Sequence, residues 1–194
     1  MLATLSGYRA VFRQQRTLPF PVSLSDRLVD GNTRNRKRDE SRAICRYICD
    51  KYADHGKQSL LGRRGGGLVE RALVEQWLEA EGQSFNPPSS TLVFQLAFAP
   101  RMGLPQDPAA ILLNEGKLAK VLDVYERRLE ESRFLAGDEF SLADLSHLPN
   151  GHYIRAGGKV ELFTSRKNVA RWWEAISMRP SWQKVVEMQR APPA

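Results

Sequence analysis

From residue 40 onward the apolar residues return every three or four positions, and no stretch alternates as a half-buried strand does. Ile44, Cys45, Ile48, Cys49 and Tyr52 share one face of a first helix, with Ser41 as its N-cap and an end near His55-Gly56. Residues 59–67 read as a loop, with Gly65-Gly66-Gly67 as a flexible joint. Val69, Ala72, Leu73, Gln76, Trp77 and Ala80 form the next stripe, which Gly82 ends. Pro87 and Pro88 suit the first turn of a further helix. It runs to about Arg101 and is apolar almost all round, so it is buried or lines a cavity. Gly103 and Pro105 end it. Asp107 caps a long helix with Pro108 at its first position and Ile111, Leu118, Leu122, Tyr125 and Leu129 on its inner face. Asn168 is read as the cap of a helix carrying Val169, Trp172, Trp173 and Ile176, and Trp182, Val185 and Val186 continue in a last short helix. The predicted class is mostly α, with an all-helical domain after residue 40.

The most strongly specified segment is 134–149. Ser141 can cap a helix, and Asp144 can reach back to the backbone N–H of Ser141, a capping box with Asp in place of Glu. Phe140 can pack on Leu145 as a hydrophobic staple. Asp144 also puts negative charge where the helix dipole favours it. Ser141 and Asp144 are therefore assigned as a fold-nucleating cap. Pro149 is expected to kink or end this helix.

Charge changes the picture only at the N-terminus. The net charge is +7. Residues 1–40 hold eight Arg or Lys against four acids, which leaves +4 there and +3 for the rest. No nucleic-acid partner is inferred from this balance. Residues 1–25 contain no acid, a composition that suits organellar import, although Pro19 and Pro21 interrupt any helix. Residues 1–39 are read as an atypical, poorly ordered basic segment, with a short strand at 18–24 at best. No apolar run approaches the roughly 20 residues that span a bilayer. Two cysteines are too few for a secreted disulfide framework, and four apart on a helix they are poorly placed to pair. No metal site is expected.

Several segments together carry a family resemblance. They are Glu40-Ser41-Arg42-Ala43-Ile44 with Arg46-Tyr47-Ile48; Glu70-Arg71-Ala72 with Gln76-Trp77-Leu78-Glu79; Phe85-Asn86-Pro87-Pro88; the run from Phe134 through Ser141-Leu-Ala-Asp-Leu-Ser-His-Leu-Pro-Asn150; and Val169-Ala170-Arg171-Trp172-Trp173 with Arg179-Pro180-Ser181-Trp182. Over residues 40–194 the chain resembles a plant phi-class glutathione S-transferase. The resemblance implies an all-helical glutathione-transferase C-terminal domain over 63–194. It implies the last helix of a thioredoxin-like α/β domain, with a linker, over 40–62. It also implies conjugation of the glutathione thiol, as co-substrate, to small hydrophobic electrophiles, by a cytoplasmic homodimer in detoxification and stress response; organelle import through the basic segment is the alternative location.

Glu40 and Ser41 resemble the family's γ-glutamyl clamp: a helix N-terminus and hydroxyl for the carboxylate, an anion for the ammonium. Phe94, Phe98 and Met102, each four residues apart, share a helix face and can offer an adaptable apolar wall to the electrophile. The family's thiolate-stabilising Ser and its Gln-Val/Ile cis-Pro loop have no counterpart in residues 1–39, where Pro19-Phe20-Pro21-Val22 has the wrong order and Ser6, Ser23 and Ser25 lack the context. No catalytic residue is therefore assigned, and the thioredoxin-like part is expected to be truncated or replaced. A non-catalytic protein that binds hydrophobic ligands, or an interaction module, is the alternative.

Overall fold

A computed structural model describes residues 41–53, 59–62 and 67–190. They fall in two compact units divided after Asp54. The first unit contributes helix α1, Ser41–Lys51. Ser41 is its first helical residue, one position inside the predicted cap. None of its residues is fully buried.

The second unit starts with the segment 59–62, which is pinned by the N–H of Leu142 donating to the carbonyl of Leu60 at 2.7 Å. Helix α2, Gly67–Ala80, follows, and here the predicted stripe is corrected. The buried positions are Val74, Trp77 and Leu78, and Val69 is 72% exposed. The buried row continues through Glu81 and Phe85 at helical spacing, so the inner face is set by Trp77 and Phe85 packing on Tyr125.

Gly82 does not end the helix. The chain stays helical through a π turn, Glu81–Phe85, into α3, Asn86–Val93, then through a second π turn, Phe94–Phe98, into α4, Ala99–Arg101. Each π turn closes with an i→i+5 bond, from the N–H of Asn86 to the carbonyl of Glu81 and from the N–H of Ala99 to the carbonyl of Phe94. Both stand just before prolines, Pro87-Pro88 and Pro100. Proline has no N–H to give and its ring crowds the preceding turn, so a widened turn lets the helix pass through it. The carbonyl of Gln95 faces Pro100 across the ladder and takes its bond from the Gln106 side chain at 2.9 Å instead. The run ends in a Schellman motif. Gly103 is left-handed at φ 68°, its N–H donates to Pro100, and the N–H of Leu104 donates to Ala99.

Helix α5, Pro108–Glu131, is the hub. Asp107 caps it as predicted, accepting from the N–H groups of Ala109 and Ala110 at 2.9 and 3.1 Å. Its buried row is Asn114, Leu118, Leu122, Tyr125 and Leu129. Ile111 is only half-buried; the row starts instead at Asn114, whose amide donates to its own helix at Ala110. Helices α3 and α9 pack along α5. The one-turn α6, Leu142–Leu145, leads to α7, Leu148–Ala156. Pro149 sits in the first turn of α7 and so starts a helix where an end was expected, because N–H groups there have no intrahelical acceptor to lose. The short α8, Glu161–Thr164, precedes α9, Lys167–Ser177, and α10, Pro180–Arg190, closes the unit.

Asn168 is not the cap of α9, which already begins at Lys167. The role falls to Glu126 on α5. Its carboxylate accepts from the backbone N–H groups of Asn168 and Val169, each at 2.9 Å, and from the Asn168 amide at 3.1 Å. A negative charge at the open end of a helix satisfies orphan donors and opposes the dipole. Glu126→Gln keeps the size but turns an amide N–H toward those donors. It is expected to cost about 1–2 kcal/mol and to lower the Tm by about 3–6 °C in a chain of this size, read by circular dichroism. An unchanged Tm would show that water replaces the carboxylate without loss.

Candidate functional site

The wall expected from Phe94, Phe98 and Met102 is built by the second π turn. In an α-helix a step of four overshoots a full turn by about 40°. In the wider π turn the same step falls short. The π turn from Phe94 to Phe98 thus offsets the drift from Phe98 to Met102, and the three side chains stay in line. Phe94 and Phe98 are half-buried and Met102 is 62% exposed at the helix end. The aromatic surface continues onto α7, where the Tyr153 ring lies 5.6 Å from that of Phe98. The Arg101 guanidinium stands 5.8 Å from the Tyr153 centroid. Neither Tyr153 nor Arg101 was singled out from the sequence. Tyr153 lies 55 positions from Phe98, and only the packing of α7 on the π turn joins them. Gly157, at the end of α7, makes that packing close, since a Cβ there would come within 2.8 Å of Leu96.

Ser41 opens α1, where the backbone N–H groups of the first turn have no intrahelical acceptor. Glu40 lies outside the described residues, as do Ser6, Ser23, Ser25 and the 19–22 segment. The structure places Ser41 in the first unit and the wall in the second.

Behind the wall lies a polar network in the core. Asp144 is fully buried and accepts four hydrogen bonds. They come from the N–H of Ser141 at 2.9 Å, the hydroxyl of Ser141 at 3.0 Å, the N–H of Leu135 at 3.0 Å and the indole N–H of Trp172 at 2.9 Å. The capping box is thus also a junction between the 134–140 turn, α6 and α9. Burial pushes the Asp144 carboxyl above the usual range, against the pull of these four donors. Beside it, His147 is also fully buried. Its Nδ1 is 2.7 Å from the Ala143 carbonyl, which only accepts, so Nδ1 carries the proton. Nε2 then accepts from the Tyr125 hydroxyl at 2.9 Å. Burial first, then the anionic Glu81 and Asp144, push the Tyr125 hydroxyl far above its ordinary value, so it acts as a fixed donor. The Asn150 amide donates to Ser89 Oγ at 2.9 Å and ties α7 to α3 just past the proline pair. All these groups are spoken for inside the core, and none faces an open site. Among the described residues no group of three or more His, Cys, Asp or Glu is placed to hold a metal ion, and no helix is long and apolar enough to cross a membrane.

This helical unit, with its buried capping box and its doubly π-turned first helix, matches a known domain. The family model of the glutathione S-transferase C-terminal domain matches residues 85–180. Glutathione S-transferase F10 of Arabidopsis thaliana is 48% identical over 159 residues, covering 81% of this chain and 71% of the relative. The crystal structure of glutathione transferase F2 from Populus trichocarpa aligns with a TM-score of 0.74 and 62% identity, over 78% of this chain and 70% of that one. Glutathione S-transferase I from maize, solved in complex with an atrazine glutathione conjugate, aligns with a TM-score of 0.71 and 35% identity, over 84% of this chain and 73% of that one. The chain belongs to the glutathione S-transferase family, within its plant phi class.

Proposed function

We propose that the chain binds glutathione through Glu40 and Ser41 and small hydrophobic electrophiles against Phe94, Phe98 and Met102, and that the glutathione thiol is conjugated to the electrophile. The observation that carries this reading is the aligned aromatic face on the second π turn, in a chain whose maize relative was solved with the glutathione conjugate of an apolar ring compound. A flat electrophile lies on such a face by burying apolar area, and the flexible Met102 adapts to its outline. The γ-glutamyl carboxylate of glutathione suits the orphan N–H groups at the start of α1, and the Glu40 carboxylate suits its ammonium. With a chlorodinitrobenzene the thiolate attacks the chlorine-bearing ring carbon, a C–S bond forms and chloride leaves. On the same reading the working protein is a cytoplasmic homodimer engaged in detoxification and stress response.

The test is conjugation of chlorodinitrobenzene by the purified chain. Phe98→Ala is expected to raise the KM for the electrophile roughly tenfold, the worth of about 1.4 kcal/mol of lost ring contact, and to leave the KM for glutathione unchanged. Equal KM values for Phe98→Ala and the parent would remove Phe98 from the wall. A second reading is favoured by residues 1–39, which contain no Gln-Val/Ile before a proline. On that reading the face binds hydrophobic ligands without turnover. Binding of an aromatic ligand that Phe98→Ala weakens, with no conjugation under any glutathione concentration, would select it. Retention on immobilised glutathione tests Glu40 and Ser41 apart from turnover.

A further inference from the structure

Cys45 and Cys49 are the two cysteines of the chain. Both ride on α1, one turn apart. Residues four apart on a helix share a face, with about 5–6 Å between neighbouring Cβ atoms. Both are half-buried thiols, within reach of small reagents and shielded from large ones. A disulfide asks for Cβ atoms about 3.5–4.5 Å apart, closer than a helical turn holds them. A bridging atom removes that conflict, because two bonds to sulfur of about 2.3 Å each, as at a soft metal centre, reach across the gap with no change in the helix. Soft, thiophilic acceptors are the class that thiol sulfur selects.

We propose that Cys45 and Cys49 form a dithiol clamp for trivalent arsenicals of the type R–As=O. Two S–H bonds break and two As–S bonds form. The arsenic-bound oxygen leaves as water with both thiol protons, and nothing is oxidised or reduced. The chelate needs two sulfurs and no third protein ligand. Burial pushes the Cys45 thiol upward in spite of the nearby Arg42 and Arg46, which keeps it protonated and slow toward oxidants, whereas arsenic displaces the proton. The closed ring also staples adjacent turns of α1.

Phenylarsine oxide titrated into the full-length chain is the test. One equivalent is expected to remove both thiols from reaction with a chromogenic disulfide. Cys45→Ser and Cys49→Ser are each expected to weaken uptake about tenfold or more, because the second sulfur then no longer acts at the high effective concentration of a neighbour. Each variant still carries one thiol that N-ethylmaleimide alkylates. Uptake of two equivalents overturns the clamp. So does a single-serine variant that binds like the parent, or a parent whose thiols both stay titratable at saturation. The stoichiometry is read on the parent chain, so a substitution that folds poorly does not blunt the test.

Discussion

Asp144→Ala lowers stability by about 4 kcal/mol, more than any other single substitution considered for this chain. Four donors converge on the Asp144 carboxylate, and the residues that supply them, Leu135, Ser141 and Trp172, are themselves buried. The Ser141 hydroxyl can rotate toward another acceptor, whereas the two backbone N–H groups and the indole N–H cannot. Each buried donor left without a partner costs about 1–3 kcal/mol, and three of them sum to a sizeable part of the roughly 5–15 kcal/mol that holds a typical domain together. The loss of a simple exposed cap is worth only about 1 kcal/mol, so the magnitude itself distinguishes a junction from a cap. Thermal and urea unfolding should show a Tm drop of about 8–16 °C. Asp144→Asn should fall between the parent and Asp144→Ala, since its amide oxygen still serves two of the donors. A drop for Asp144→Ala no larger than that for Ser141→Ala would show that the network adds nothing beyond the cap.

Gly151→Ala is expected to destabilise by about 2 kcal/mol although it places alanine in a helix. Helix propensity favours the change by about 1 kcal/mol. Against it, a Cβ at Gly151 would lie 2.3 Å from both Cη2 and Cζ3 of Trp173. The Trp173 ring is 5% exposed and is hemmed in by Phe163 at 4.9 Å and Trp172 at 6.2 Å between centroids. It cannot swing aside without disturbing both, and forced overpacking of a filled core costs about 1–3 kcal/mol, sometimes more. The steric term wins. Trp173→Phe removes the two clashing atoms, so its own penalty should be smaller in the Gly151→Ala background than in the parent, a coupling that a double-mutant cycle reads directly. Additive penalties would mean that α7 shifts away from Trp173 and relieves the contact.

These two sites show what the sequence could and could not disclose. The capping box was legible because Ser141 and Asp144 lie three apart and the helix between them fixes their geometry. The third and fourth partners of Asp144 were not. Trp172 is 28 positions away and carries no local mark of its bond. Glu126 likewise looks like an ordinary exposed-face acid on α5, and only the approach of α9, more than 40 positions later, makes it a cap. Asn168 looked like that cap because a side chain of the right type stood beside the right helix start. The inner row of α5 was readable from Leu118 to Leu129 because helical spacing alone orders it. The stripe on α2 was misjudged at Val69, since an amphipathic pattern does not say which of two partly apolar faces meets the core. The π turns escaped because a search for a 3.6-residue period treats glycine and proline as ends. For the site, spacing correctly grouped Phe94, Phe98 and Met102, while Tyr153 and Arg101 join them only through tertiary packing.

The two π turns also set the phase of the molecule. A π turn amounts to one residue added to an α-helix, and one residue is worth about 100° of rotation. The row Val74, Trp77, Leu78, Glu81 that faces Tyr125 and the row Phe94, Phe98, Met102 that forms the wall therefore keep their headings only because the surplus residues are retained. Deleting any one residue between 81 and 98 would restore a regular ladder and turn everything before it by more than a quarter of a revolution. Trp77 would then point to solvent. In this chain a length change in the middle of a helix acts like a cam slipping one tooth, whereas the 102–107 loop beside it takes up no such rotation.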